Sequence, residues 1–432
     1  MKKRKIFDLS AISIIACDCL QAVICIFIDL FFVSQILHNP NAESVAQNIV
    51  SIGLFYVIYY FILTSSYSVA GFALRKINKS IFVSIGAIVL TVVVFLVYIL
   101  ETNGIDLSTF VPLIAVLYGI GFGCFSNGYN NLTGETISSK HQVKFFAVKK
   151  IMFQATYIIF PITLGLIIDK INFAFMALIM LVICAALIVF SFLIKPKKTY
   201  SLSFNLRSFG KYLRKNKKET KPLWLMYISN FFRGASYDCF TTLITILVMS
   251  TFQSNTSLGM FQSIFTACSL VTMCFYLKFY RKKRANSFII PTIVLVAAAV
   301  VGILCATNEI TIICFYAVYA ILNVILMSIS DSRRAGVIRV LSLHSHILES
   351  NAYGEFFLGA GRIKSSLFLV LAGLFDNLMG GGTLFLKIAL GLVCGMYVMY
   401  GVSLIWLEKA LVRQDEEFRR VHIAEEIVKT ED

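Results

Sequence analysis

Charge is scarce in this sequence: Asp, Glu, Lys and Arg make up 14% of its residues, against about 25% in an ordinary soluble domain. With 58% of the chain hydrophobic, that shortage excludes a water-soluble globule and implies a membrane protein. Histidine is rarer still, at 5, and no His, Asp or Ser cluster gathers at one membrane face, which argues against a membrane-embedded enzyme. His344 and His346 have no third ligand near them in sequence, so no metal is expected. No Gly-Lys-Ser or Gly-Lys-Thr closes a phosphate loop: "GEFFLGAGRIKS" resembles one only superficially, in an apolar helical run without the strand-loop-helix context. Its "GAGRIK" also lacks the last glycine of a dinucleotide fingerprint. No ATP site and no cofactor are expected. Cysteine is present without metal-ligand spacing; all 11 lie inside apolar runs, among them Cys17, Cys25, Cys184, Cys268 and Cys394, and read as small buried hydrophobes.

What is abundant is apolar length. A bilayer core takes about 20 residues of helix, and twelve such runs begin near Leu9, Val50, Ile81, Phe110, Phe145, Phe173, Leu223, Leu258, Phe288, Ile310, Phe356 and Leu384. The N-terminal "MKKRKIFDLSAIS" is basic and then apolar, as in a signal peptide, but the apolar stretch continues to Leu37 without a clear cleavage site. It reads as a retained first span.

The net charge of +16 is not a nucleic-acid signal, because the cations alternate between loops. Both termini and the connections after even spans hold "KKRK", "RKINK", "SSKHQVK", "YRKKR" and "SRRAGVIR"; the odd connections, such as "HNPNAESVAQN", "ETNGIDLST" and "DNLMGGGT", are almost free of Lys and Arg. The positive-inside rule then places both termini in the cytoplasm of a multi-pass plasma-membrane protein.

The longest polar stretch, "KPKKTYSLSFNLRSFGKYLRKNKKETK", divides the chain into bundles at 1–195 and 223–410, joined by a basic linker at 196–222 and followed by a polar tail at 411–432. Leu202, Leu206, Phe209 and Leu213 are spaced for a short amphipathic helix, which either lies on anionic lipid or is a solvated linker. The halves echo each other: "ALRKINKSIFVSIGAIVL" resembles "FYRKKRANSFIIPTIVL", and "KFFAVKKI" at the fifth span resembles "EFFLGAGRI" at the eleventh. Transporters use such duplication to place a site at the repeat interface.

Twelve spans in a six-plus-six layout with a long basic central loop resemble the major facilitator superfamily of secondary transporters. Between spans two and three, "GFALRKINKS" is similar to that family's signature at Gly71, Lys76 and Lys79. It departs where the family has Asp (Arg75 here), a second Gly (Asn78) and a last basic residue (Ser80). In the family the acid helps close the cytoplasmic side against the start of the eleventh helix. The resemblance therefore implies either a swapped polarity, with Glu355 supplying the acid that Arg75 needs, or a Glu355 that is simply a favourable first-turn acid.

Charges inside the membrane default to functional candidates facing the bundle interior. Asp18 and Asp29 in the first span are eleven residues apart, which on a regular helix puts them on one stripe about 16 Å apart. Asp238 lies near the middle of the seventh span; Arg233, five residues earlier, is turned roughly 140° away and is a poor partner for it. The resemblance implies that spans one and seven line a central cavity, where Asp238, Asp29 or Asp18 would carry a proton in each cycle. Asp238 is the first choice. The alternative is a fixed ion pair of Asp238 or Asp29 with Arg233 or a span-five lysine.

Lys149, Lys150, Arg362 and Lys364 come shortly after the cytoplasmic starts of spans five and eleven. They either snorkel to the headgroups or form a cationic cavity floor. Asn127, Asn130, Asn131 and Asn323 are uncharged cavity candidates, with helix capping and helix–helix bonding as alternative uses. The reading is an all-α, non-enzymatic, twelve-span transporter, a monomer, working by alternating access. Proton-coupled export of a small amphiphilic molecule is expected; uptake of a polar solute, flipping of a lipid-linked molecule, or a non-transporting protein on the same fold remain open.

Overall fold

A backbone in lipid must close its hydrogen bonds within itself, and apolar runs of this length do so as helices. The computed structural model describes residues 9–38, 44–73, 78–136, 142–195, 204–279, 285–341, 346–379 and 384–431, and among these there are helices and no strand. Twelve helices are long and apolar enough to cross a membrane. In order, spans one to twelve are Leu9–Leu37, Val45–Ala73, Lys79–Thr102, Leu107–Thr136, Gln142–Lys170, Phe173–Leu193, Lys221–Phe252, Asn255–Phe279, Ala285–Cys305, Glu309–Val340, Ile347–Leu378 and Leu384–Glu431. This is a multi-pass membrane protein. Odd spans leave the face that carries the N-terminus, called here the terminal face, and run to the opposite face.

The starts agree with the apolar runs to within a few residues except at span eleven, which begins at Ile347 rather than near Phe356. "ILESNAYG" is too polar for a hydropathy signal, yet nothing in it stops a helix. Local caps set several other ends. The Asn78 side chain accepts from the Ser80 N–H at 3.2 Å, so the asparagine that replaces the family's glycine caps span three, a contribution of about 1 kcal/mol. Buried Asp376 accepts from the backbone N–H groups of Phe385 (2.9 Å) and Leu386 (3.0 Å), which closes the start of span twelve.

The duplication is visible in the packing. Spans 1·5, 1·6, 2·4, 3·4, 3·6 and 5·6 pack together in the first half, and each pair has its counterpart, 7·11, 7·12, 8·10, 9·10, 9·12 and 11·12, in the second. Among the described residues the halves meet mainly through two symmetry-related contacts, span two on span eleven and span five on span eight, and more lightly between spans one and seven. Outward faces carry exposed Phe61, Phe95, Val182, Phe192, Phe275 and Val294, which is the expected surface of a protein solvated by lipid tails. Cys17, Cys25, Cys184, Cys239 and Cys394 are buried as expected of small hydrophobes, but Cys274, Cys305 and Cys314 are on the outside, where an apolar run is lipid-facing and not buried in protein.

The amphipathic stretch of the linker is a helix over Leu206–Lys215. It is neither spread on lipid nor merely solvated: Phe209 and Leu213 are buried against Leu223, Met226, Tyr227, Val337 and Leu407 at the terminal ends of spans seven, ten and twelve.

At the opposite face the two halves are shut. The Asp169 carboxylate on span five accepts from the Ser254 hydroxyl (2.9 Å), the Asn255 side-chain amide (3.0 Å) and the backbone N–H groups of Asn255 (3.2 Å) and Thr256 (2.8 Å) at the start of span eight. The Ser34 hydroxyl of span one donates to Asn255 Oδ1 at 2.7 Å.

Candidate functional site

The "GAG" before Arg362 allows two helices to touch. A Cβ at Gly361 would overlap the carbonyl of Phe231 and the N–H of Ala235, and one at Gly234 would overlap the carbonyl of Leu358, so spans seven and eleven cross backbone to backbone. Small residues commonly serve this purpose between membrane helices. The crossing brings Arg362 to Asp238: its Nε–H donates to Asp238 Oδ2 at 2.6 Å, while its guanidinium lies 5.1 Å from the centre of the Tyr60 ring on span two. Arg362 therefore does not snorkel. It sits where spans two, seven and eleven meet.

Asp29 reaches the same neighbourhood from span one, which is not a regular helix. Residues Phe27–Phe32 form a π-helical segment, an irregularity frequent at functional sites. The two acids of span one have different partners. Asp18 faces span five, 3.6 Å from Lys149, whereas Asp29 couples electrostatically to both Asp238 and Arg362, with the Tyr118 hydroxyl in reach. The Tyr56 hydroxyl donates to the Asp29 main-chain carbonyl at 3.4 Å. Arg362 is bonded to Asp238, and Asp29 stands in the electrostatic neighbourhood of that pair.

Next to this centre is a cavity of about 410 Å³ between spans five, seven, eight and ten. Its walls are aromatic, including Tyr157, Tyr237, Tyr316 and Tyr319, with Gln154, Gln262, Thr241 and Asn323 among them. The Tyr319 hydroxyl is tied to the Tyr237 carbonyl at 3.2 Å, and the Tyr316 hydroxyl donates to Gln262. Asn323 is 6% exposed, and its Oδ1 has no hydrogen-bond partner among the described residues. Lys150, Arg233 and Asp331 also line the cavity; Arg233 lies 3.6 Å from Asp331, whose side chain is 68% exposed, so the cavity opens toward the terminal face. A second cavity of about 480 Å³ on that side is lined by Asp18, Phe146, Lys149, Lys150 and Phe153. The Lys149 ammonium there lies 4.5 Å from the centre of the Tyr129 ring.

The embedded charges therefore pair differently from the combinations the sequence suggested. Asp238 takes Arg362, Arg233 takes Asp331, and the span-five lysine takes Asp18. Of the candidate asparagines, Asn323 lines the aromatic cavity of about 410 Å³. Asn127 is buried and donates to the Gly123 carbonyl of its own helix at 2.8 Å. Asn130 is exposed, and the side chain of Asn131 lies outside the described residues.

At the terminal face, Arg75 and Lys76 also lie outside the described residues. Gly71 is packed against the ring of Phe204 from the linker, and Lys79 is buried at the start of span three. Glu355 falls about two turns inside span eleven, near Tyr67 and Arg362 in electrostatic reach. The acid at the helix head is Glu349: 3% exposed, it accepts from the Asn205 N–H at 2.9 Å through Oε1. Glu349, Asp331 and Asp169 were missed because each stands in a polar stretch flanking an apolar run. The tyrosines were missed because aromatics in apolar runs look like core. Among the described residues, no group of three or more His, Cys, Asp or Glu is placed to hold a metal ion.

The family model described as Major Facilitator Superfamily matches residues 12–346. A crystal structure of a mutant of the peptide transporter POT superposes with a TM-score of 0.69 at 11% identity, covering 94% of this chain and 95% of that one. A structure from work on substrate recognition in proton dependent oligopeptide transporters also gives 0.69, at 12% identity over 94% of this chain and 99% of that one. The human organic anion transporter MFSD10 (TETRAN) gives 0.58 at 12% identity, over 92% and 99% of the two chains. No curated protein matches the sequence.

Proposed function

The chain belongs to the major facilitator superfamily, and from that premise we propose that this transporter exports a small amphiphilic molecule across the plasma membrane in exchange for protons. That it is a transporter and not an enzyme follows from the family; the coupling, direction and cargo are our reading.

The observation that carries the coupling is the nearness of Asp29 to the bonded pair of Arg362 and Asp238. Asp238 and Asp29 both lie in the field of Arg362, and only Asp238 bonds it at 2.6 Å. Two ionised carboxylates against one cation leave an unbalanced charge in a desolvated place, at a cost of several kcal/mol. A proton on Asp29 removes it. Asp29, not the sequence's first choice Asp238, is then the proton carrier in this conformation. When Asp29 ionises it competes for Arg362, and because the competition runs between span one of one half and spans seven and eleven of the other, proton release biases how the halves pack. A coupling of this kind needs only a difference in proton affinity between two global states.

Export is our reading of the open side. The cavity opens on the terminal face, which the distribution of Lys and Arg makes cytoplasmic; cargo loads from there and leaves when Asp169 and Asn255 part at the opposite face. The 410 Å³ volume lies in the range of about 300–1,000 Å³ for drug-sized ligands, and the tyrosine walls suit an amphiphile. Peptides and organic anions are the cargo of the neighbouring structures, and at such low identity those likenesses carry only the fold.

The test is dissipation of an imposed pH gradient by proteoliposomes holding the purified chain, screened against cationic amphiphiles, anionic amphiphiles, sugars, amino acids and glycolipids. The proposal expects one amphiphile class to release the gradient. Release by sugars or amino acids alone would overturn the cargo, and release by none would overturn proton exchange.

A further inference from the structure

Of the cations that face the interior, most already have an acid. Lys149 stands 3.6 Å from Asp18, Arg233 is 3.6 Å from Asp331, and Arg362 is bonded to Asp238. Lys364 lies over the rings of Phe231 and Phe368. Lys150 makes no ion pair among the described residues. One residue after Lys149, it is turned about 100° away from the Asp18 pair, and its ammonium stands 5.8 Å from the centre of the Phe153 ring.

Lys150 and Phe153 each line both cavities, the open one of about 480 Å³ on the terminal side and the aromatic one of about 410 Å³. They form the threshold between the two. A molecule moving inward from the terminal face passes the Lys150 ammonium there, in a cavity where two lysines, Lys149 and Lys150, face the single acid Asp18. Within the inner cavity Arg233 and Asp331 cancel, so Lys150 leaves the lining with one net positive charge. Midway along span ten, the buried Asn323 Oδ1 lacks a hydrogen-bond partner among the described residues, and a buried acceptor left unsatisfied is unfavourable unless something donates to it.

We infer that the cargo is an organic anion: a flat or aromatic apolar body carrying one carboxylate-like group, received by Lys150, and a hydrogen-bond donor that meets Asn323. The body lies against Tyr157, Tyr237, Tyr316 and Tyr319 of the same cavity, whose ring faces suit an aromatic partner. A cationic amphiphile of the same size meets Lys150 as a like charge and is disfavoured. This rests on the reading of the inner cavity as the transport site.

The experiment is thermal stabilisation of the purified full-length chain in detergent by three probes that differ in one group: 6-hydroxynaphthalene-2-carboxylate, its carboxamide, and the corresponding aminomethyl compound. The carboxylate is expected to bind at least about tenfold more tightly than the amide, and the amine most weakly. Lys150→Gln should bring the carboxylate to the amide's level, and Lys150→Arg, which keeps the charge and controls for folding, should restore most of the difference. Asn323→Ala should weaken all three and leave their order unchanged. Equal binding of the three probes, preference for the amine, no binding of the carboxylate, or a carboxylate preference that survives Lys150→Gln overturns the inference. If the carboxylate binds through Lys150 but moves no protons in proteoliposomes, proton exchange fails while this inference stands; proton exchange driven only by the amine is the reverse.

Discussion

Arg362 of span eleven donates to Asp238 of span seven at 2.6 Å while its guanidinium rests on Tyr60 of span two, so one side chain ties two helices of the second half to a helix of the first. A buried pair of this kind contributes little net stability over an apolar pair, but removing one member strands the other.

Arg362→Ala is therefore expected to destabilise the protein by roughly 3–5 kcal/mol, with lower expression and a lower melting temperature in detergent. Asp238→Ala should do the same. The double replacement Arg362→Met with Asp238→Leu should recover much of the stability and none of the transport. Melting curves of the four proteins check this; a double variant no more stable than the singles would contradict it.

The helix crossing depends on glycine. Gly361→Val should cost about 1–3 kcal/mol by overpacking, because its side chain would meet the backbone of Phe231 and Ala235. Gly395→Ala, at a position where a Cβ meets nothing, should be neutral or slightly stabilising through helix propensity. Thermal melts of both variants suffice.

The linker is held by named contacts. Phe204 packs on Gly71 and against Phe72, with ring centres 5.2 Å apart, and the neighbouring Asn205 N–H bonds Glu349. Phe204→Ala and Glu349→Gln should each speed tryptic cutting at Lys211, Arg214 or Lys215 several-fold, and Phe209→Ser, which opens the apolar contact of the linker helix, should speed it more. Unchanged digestion would show that these contacts do not hold the linker.

The opposite face must open for cargo to leave. Cysteines replacing Ser34 and Asn255, whose side chains are 2.7 Å apart, should cross-link with a short thiol reagent in a chain whose exposed Cys274, Cys305 and Cys314 have been replaced. The cross-linked protein should retain binding from the terminal face and lose transport, and reduction should restore it. Transport that persists after cross-linking would place the gate elsewhere.

The helices were legible from apolar length, and the charged residues announced themselves by their cost in lipid. What could not be read was which charges meet. That depends on crossings such as that of Gly234 with Gly361, the latter standing in what looked like a stray nucleotide motif, and on local irregularities such as the π-helical turn at Phe27–Phe32, which no apolar period reveals. The same limit hid Glu349: the start of span eleven is polar, so an acid near Phe356 stood in for the one at the helix head.

The central claim, that Asp29 carries the coupled proton, is tested most directly by comparing two modes of transport in Asp29→Asn, using the compound that releases the pH gradient. Exchange of labelled for unlabelled compound at equal pH on both sides needs no net proton movement, whereas accumulation against a gradient does. The account predicts that Asp29→Asn keeps exchange and loses pH-driven accumulation. If the variant still accumulates the compound in response to a pH gradient, Asp29 is not the proton carrier.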